Sequence, residues 1–203
     1  MSLFRVPSLI QSLFWGRQWK GKDKDCVYLT FDDGPDDTTT PWVLELLQKE
    51  NIQAAFFCLG NQIERHPAIF KKIIEQGHSI GNHTYNHEKG NKTKSTDYIS
   101  SITKTDVLMN SELFRPPYGR ITRKQKGEIT GLGKRIIMWT WNSHDYNQKI
   151  GIETIIKKAK LIKGGDILLF HNNAKSMKNM MGSLPEVIRI IRDKRLTFKP
   201  ISI

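Results

Sequence analysis

Cysteine is nearly absent from this chain: two residues in 203, too few for a disulfide framework to be the source of its stability. Cys26 opens one apolar run and Cys58 lies near the end of the next. On adjacent parallel strands their Cα atoms would stand about 13 Å apart, whereas a bridge requires less than about 7 Å, so both are expected as buried thiols. Long hydrophobic runs are missing as well. No stretch approaches the ~18 apolar residues of a membrane span, and residues 1–20 lack the long apolar centre of a secretion signal. On sequence alone the chain reads as cytoplasmic, with association with the cell envelope as the alternative.

Acidic residues are also scarce. Twenty Asp and Glu face 32 Lys and Arg, a formal net charge of +12. This balance favours acidic surroundings such as anionic wall polymers, lipid headgroups or nucleic acid. The cations are dispersed in short stretches (120–126, 157–163, 189–195) and also fit the solvated faces of a basic protein. No nucleic-acid reading motif accompanies them, so no specific nucleic-acid partner is expected. The length fits one domain with a substantial core, and the sequence is silent on oligomeric state.

Residues 1–24 form an N-terminal extension expected to pack on the domain that follows, 25–203. Its apolar set Leu9, Ile10, Leu13, Phe14 and Trp15 suggests an amphipathic helix or turn covering one end of the fold. The alternative is peripheral contact with a membrane surface, given Arg17, Lys20 and Lys22 nearby.

From residue 25 onward, strand-like and helix-like stretches alternate. Expected strands are Cys26–Phe31, Ala54–Leu59, Ser79–Ile80, Leu113–Phe114, Arg135–Trp141, Asp166–Phe170 and Phe198–Ile203. Thr40-Pro41 opens a helix with Thr40 as N-cap. Pro67 opens another that Gly77 stops. Further helices are expected over 97–109, 124–129, 152–162 and 184–195. Strands separated by helices imply parallel βαβ units. Polar chemistry follows the strands repeatedly, at Asp32-Asp33, His83–His87, Arg115–Arg120, Asn142–Tyr146 and His171. An open doubly wound sheet would gather only the loops beside its switch point, whereas a barrel gathers all of them at one mouth. The expected fold is therefore α/β: a distorted, incomplete (β/α) barrel of about seven parallel strands, TIM-barrel-like.

The chemistry concentrates in two motifs. Thr30-Phe31-Asp32-Asp33-Gly34-Pro35 places adjacent carboxylates at the end of an apolar run, and His83-Thr84-Tyr85-Asn86-His87 carries two histidines four apart. Two imidazoles and one carboxylate make a three-ligand set that leaves positions open, the layout of a catalytic metal site. The second carboxylate is then free to act as a base on water. Hydrolysis is the leading hypothesis.

With Arg115-Pro116-Pro117-Tyr118-Gly119, Asp145-Tyr146 and Leu169-Phe170-His171 following in order, the chain resembles the polysaccharide deacetylases of carbohydrate esterase family four, from about Tyr28 to Phe198. That family removes acetyl groups from sugar polymers. The resemblance implies Asp33, His83 and His87 as ligands of one divalent metal ion, with zinc favoured and cobalt, nickel, manganese or iron also accommodated by such a set. Asp32 matches the catalytic base and Arg115 the cation that holds and orients it. Tyr118 sits where a backbone N–H helps bind the oxyanion, in a loop stiffened by Pro116 and Pro117. His171 matches the general acid and Asp145 the carboxylate that orients it. Leu169 matches the lining of the acetyl-methyl pocket, although core packing explains a leucine there as well. Tyr146 provides an aromatic wall.

Two positions depart from the family pattern. Asn142 and Asn172 stand where Asp is frequent, which bears on substrate preference. His144 is not expected to be a ligand, and His66 and His78 are expected to be capping or surface groups. Trp141, Tyr146 and Tyr85 are candidates to stack on sugar rings, with core packing the competing role for Trp139 and Trp141. The implied activity is metal-dependent N-deacetylation of an N-acetylglucosamine-containing glycan, peptidoglycan or chitin-like. Rivals are a small-molecule amidase or cyclic-imide hydrolase of the same superfamily, and a glycan-binding protein without turnover.

Overall fold

In the computed structural model, which describes residues 3–201, eight strands and eight helices alternate along the chain. The strands are β1 (Cys26–Asp32), β2 (Ala55–Cys58), β3 (Ser79–Asn82), β4 (Leu113–Phe114), β5 (Arg135–Ile136), β6 (Trp141–Asn142), β7 (Ile167–His171) and β8 (Thr197–Phe198). The helices are α1 (Ser8–Leu13), α2 (Thr40–Lys49), α3 (Gly60–Arg65), α4 (Pro67–Glu75), α5 (Ser95–Asp106), α6 (Arg123–Gly131), α7 (Ile152–Ala159) and α8 (Met177–Asp193). The sheet runs β5-β4-β3-β2-β1-β7-β6, with β8 pairing off this path onto β1. Every strand pair is parallel. The half-barrel of seven parallel strands is the expected architecture.

The two ends of that order, β5 and β6, are consecutive in the chain. The expected single strand 135–141 is broken because its two halves serve different neighbours. Ile137 N–H donates to Phe114 O of β4, whereas Thr140 N–H donates to Ile167 O at β7. The break is lined by the N-terminal segment. Met138 N–H donates to Gln18 O, Val6 N–H to Thr140 O, and Asn142 N–H to Phe4 O. Phe4 is buried in the main core, and Arg5 pairs with the buried Asp166.

The segment is therefore held by backbone bonds, Phe4 and Arg5. The apolar set of α1 contributes little: no residue of α1 is buried, and Leu9, Leu13 and Trp15 are 71%, 69% and 72% exposed.

Side-chain alternation along β1 explains how a site and a core share one strand. Val27, Leu29 and Phe31 join the cluster that packs against helices, with Phe56, Leu168 and Phe170 of the neighbouring strands. Cys26, Tyr28, Thr30 and Asp32 occupy the opposite face, as the two-residue period of a strand requires. The register pairs Asp32 with His171 across β1 and β7, so two chemical groups emerge side by side at the carboxyl ends of adjacent strands.

Local boundaries differ from expectation where a distant side chain intervenes. Thr40 is the first residue of α2 rather than its cap, and Thr39 has no side-chain cap bond. Asp36 takes that role: its Oδ1 accepts from the N–H of both Thr39 and Thr40. Helix α8 begins at Met177 and runs through Pro185. An interior proline costs about 3 kcal/mol, and here the burial of Met180, Leu184, Val187, Ile188 and Ile191 on one face outweighs it. Helix α3 carries a single buried apolar side chain, Ile63, and so shows no periodic signal in sequence.

Cys26 and Cys58 are free and buried. The register sets Asp32 beside Phe57, which separates the two cysteines by about 23 Å along the strands rather than 13 Å.

Candidate active site

Asp33 follows β1 in a left-handed conformation, φ 81°, which turns its carboxylate to the barrel mouth beside that of Asp32. His83 follows β3, and His87 closes the same loop. The loop is not helical: Thr84 and His87 both adopt positive φ, 67° and 63°. It is pinned by Asn82, whose Oδ1 accepts from Thr84 N–H, and by Ser101 Oγ, which accepts from Tyr85 N–H. These strained residues bring two imidazoles onto one carboxylate oxygen. Asp33 Oδ1 lies 3.5 Å from His83 Nε2 and 3.2 Å from His87 Nε2.

The donor set fits a cation. Asp33 Oδ1 is buried and has no hydrogen-bond partner, and an orphaned carboxylate oxygen is costly unless a cation or donor reaches it. His83 Nδ1 lies 2.7 Å from Arg115 O. A carbonyl can only accept, so Nδ1 carries the proton and the Nε2 lone pair faces Asp33. Burial and the neighbouring His87 pull the His83 pKa down to about 3, so the ring is neutral, as a ligand must be. One ligand atom from each of Asp33, His83 and His87 lies within 4.8 Å of the others.

Asp32 faces the same point but is held differently. Its Oδ1 accepts from Arg115 Nη1 at 2.7 Å, leaving Oδ2 3.7 Å from His83 Nε2. Arg115 is fully buried, and burial lowers its pKa while the Asp32 charge raises it. Nη1 also donates to Thr30 Oγ1, and the strand break supplies two further acceptors: Nε donates to Ile137 O and Nη2 to Met138 O. The guanidinium lies 4.0 Å from the centre of the Phe57 ring. The distortion of the barrel between β5 and β6 thus exposes the carbonyls that fix this arginine.

His171 ends β7 on the other wall. Asp145, wholly buried, accepts from His171 Nδ1 at 2.7 Å through Oδ1 and from His171 N–H at 2.8 Å through Oδ2. Burial alone would lower the His171 pKa, but the charge and hydrogen bond of Asp145 prevail and lift it to about 9. The imidazole is therefore a protonated acid at neutral pH. The Tyr146 ring packs edge-on against it at 5.1 Å.

Asp32, Asp33, His83, His87, His171 and Tyr146 line one pocket of about 520 Å³ with Tyr118, Leu169, Trp139 and Asn173, whereas Arg115 and Asp145 stand behind its wall. Tyr118 has φ 58° in a single 3-10 turn, Pro117–Gly119, and its ring contacts His87 at 4.6 Å. Pro117 is buried and opens that turn without lining the pocket.

Several expectations change. Asn172 is buried and turned away from the pocket, accepting from Gly34 N–H and donating to Thr40 Oγ1. It ties the Asp-Asp loop to α2 and does not line the pocket. Asn142 lines the pocket while its Oδ1 caps the loop at His144 N–H. His78 is buried rather than at the surface, with Nδ1 accepting from Ala54 N–H, and burial lowers its pKa to about 4. His144 bonds to Tyr146 Oη and Leu3 O, away from the ligand set. Trp141 is core, its Nε1 donating to Lys158 O. Tyr85 is tied to Glu64, so Trp139 is the pocket tryptophan.

Sequence reasoning missed Asn173, whose Nδ2 donates to Asp33 Oδ2 at 2.7 Å. Its Oδ1 accepts from Ser176 N–H, which holds the amide in place. Only its adjacency to the Leu169–His171 motif could have drawn attention to it.

The model of the polysaccharide deacetylase family matches residues 20–137. The chain belongs to that family. A peptidoglycan-N-acetylglucosamine deacetylase of Bacillus cereus is 30% identical over 87% of this chain and 86% of its own length. A chitooligosaccharide deacetylase of Bradyrhizobium is 27% identical over 72% of this chain and 70% of its own. Other curated relatives are longer, and the chain spans 65% and 34% of two of them. Among solved structures, the Bc1960 peptidoglycan N-acetylglucosamine deacetylase, bound to a naphthyl N-oxidanyl-benzamide, superposes with a TM-score of 0.88 at 30% identity, covering 97% of this chain and 95% of that one. This deacetylase-family half-barrel therefore has its Asp33, His83 and His87 group at the carboxyl ends of β1 and β3.

Proposed function

We propose that the protein hydrolyses the acetamide of N-acetylglucosamine residues in a glycan, peptidoglycan before chitin-like oligomers. The observation that carries this reading is the unpartnered Asp33 Oδ1 between two imidazole Nε2 atoms, in the same pocket as Asp32 Oδ2 and the imidazole of His171. Asp33, His83 and His87 would hold one divalent cation, zinc first among the candidates for an N,O set of this kind. When bound, the cation supplies Lewis acidity, polarising a carbonyl and acidifying a water.

The chain's own groups do the rest. Asp32, fixed through Oδ1 by Arg115, takes the proton of the attacking water at Oδ2. The Tyr118 backbone N–H donates to the oxyanion that develops on the acetyl oxygen. His171 delivers a proton to the departing nitrogen, without which the leaving group would be an amide anion. Leu169, buried and lining the pocket, packs on the acetyl methyl, and Tyr146 and Trp139 wall the sugar. Acetate and a free amine are released.

Among the described residues no helix is long and apolar enough to cross a membrane. A wall glycan as substrate places the work of the protein at the cell envelope.

Acetate release from peptidoglycan, chitooligosaccharides and small cyclic imides, each with and without chelator, tests the reading. Chelator-sensitive release from the glycans is expected. Turnover of the imides alone would give the protein to the small-molecule amidases, and binding without acetate would make it a glycan-binding protein.

A further inference from the structure

Three cations, Lys89, Arg120 and Lys175, line the candidate active pocket, and the only carboxylates in that lining are Asp32 and Asp33 at its floor. They stand on both sides of the site. Lys89 Nζ lies 5.4 Å from the centre of the Tyr118 ring, which contacts His87. Lys175 Nζ lies 5.8 Å from the centre of the Tyr146 ring, which contacts His171.

Some basic side chains elsewhere are paired: Arg5 with Asp166, Lys134 with Asp106, Arg189 with Glu186, Arg192 with Glu50 and Lys199 with Asp23. Lys89, Arg120 and Lys175 make no ion pair with any carboxylate among the described residues. Glu88, next to Lys89 in sequence, is turned away and accepts from Ser101 Oγ and Asn86 N–H.

The floor does not neutralise this rim. The Asp32 charge is matched by Arg115 and that of Asp145 by His171, and a divalent cation at Asp33 would leave an excess of positive charge. Unpaired cations converging on a cleft with low-dielectric walls raise the local concentration of anions.

We propose that Lys89, Arg120 and Lys175 form a carboxylate-binding rim, so that the protein prefers glycans whose sugars flanking the acetamido sugar carry carboxylates over neutral chitin-like chains. This rests on the deacetylase reading and narrows its substrate class. The same field repels the ammonium that deacetylation creates and so favours product release.

The test compares three probes on the full chain loaded with zinc: a glycan with carboxylates on alternate sugars, the same glycan with those carboxylates converted to neutral amides, and a neutral N-acetylglucosamine hexamer. At low salt kcat/KM is expected to be about tenfold higher for the acidic glycan than for its amidated form, a gap that closes to about twofold or less by 0.5 M salt because exposed charges are screened. The Lys89→Gln/Lys175→Gln variant should lose about three- to tenfold on the acidic glycan and less than twofold on the neutral ones. Lys71→Gln on α4, remote from the pocket, removes one positive charge as a control and should behave like the parent.

Equal rates on acidic and amidated glycans at low salt would overturn the rim, as would a variant that loses activity equally on both. If the double variant fails to fold, the salt dependence of the unmodified protein still decides the matter. Absence of acetate from all three probes would instead sink the deacetylase reading itself.

Discussion

Replacing Asp145 by Asn probes the acid half of the site. In the folded chain Asp145 accepts two hydrogen bonds from His171, and its charge holds the imidazole pKa at about 9 against the pull of burial. Without that charge, burial is opposed only by the smaller contributions of Asp33 and Asp32, and the pKa should fall toward the ordinary histidine value of about 6.5. At a pKa of about 6.5 the protonated fraction at pH 7.5 drops from about 0.97 to about 0.09, so turnover falls by up to about tenfold from protonation alone.

Linkage gives a second readout. A pKa raised on folding contributes stability that is fully present below about 6.5 and lost as pH rises through about 9; the difference of about 2.5 units amounts to about 3 kcal/mol. The parent should therefore weaken across that window, and Asp145→Asn should not show this loss. The assay is a kcat/KM–pH profile of both proteins, with urea unfolding at pH 6 and pH 9 alongside. A cation bound at Asp33 opposes part of the raised pKa, so the displacement of the basic limb between parent and variant carries the test. An unmoved basic limb would refute the pairing of His171 with Asp145 as the source of the acid.

Other substitutions separate the remaining roles. Asp33→Ala should abolish zinc binding by calorimetry, whereas Asp32→Asn should retain the metal and lose about 10²- to 10⁴-fold in kcat; near-normal turnover by Asp32→Asn would remove it as the base. Asn173→Ala frees Asp33 Oδ2 and should weaken zinc binding about 10- to 100-fold while the unfolding midpoint of the metal-free chain changes little. Arg115→Met leaves Asp32 buried without its cation and should cost about 3–5 kcal/mol in denaturant unfolding. A stability unchanged by that substitution would contradict the burial of the pair.

What the sequence by itself determined was the part written in local chemistry. The apolar run ending in Asp32-Asp33, the His83–His87 spacing, and the repeated appearance of polar residues after strands were enough for an incomplete parallel barrel and for the composition of its mouth. These signals survive because strand alternation and strand-end loops depend on neighbouring residues.

Only the tertiary structure decided the matters that depend on long-range contacts. Asn172 and Asn173 are adjacent in sequence, yet one ties a loop to α2 and the other holds Asp33, a division set by the turn after β7. The apolar residues Leu9, Leu13 and Trp15 look like a packing face, but it is the backbone of Phe4, Val6 and Gln18 that bonds the sheet break between β5 and β6, while Leu9, Leu13 and Trp15 stay in solvent. That break also releases the Ile137 and Met138 carbonyls that seat Arg115. Hydrogen bonds between residues far apart in the chain leave no periodic trace in a sequence, and here they fix where Asp32 points.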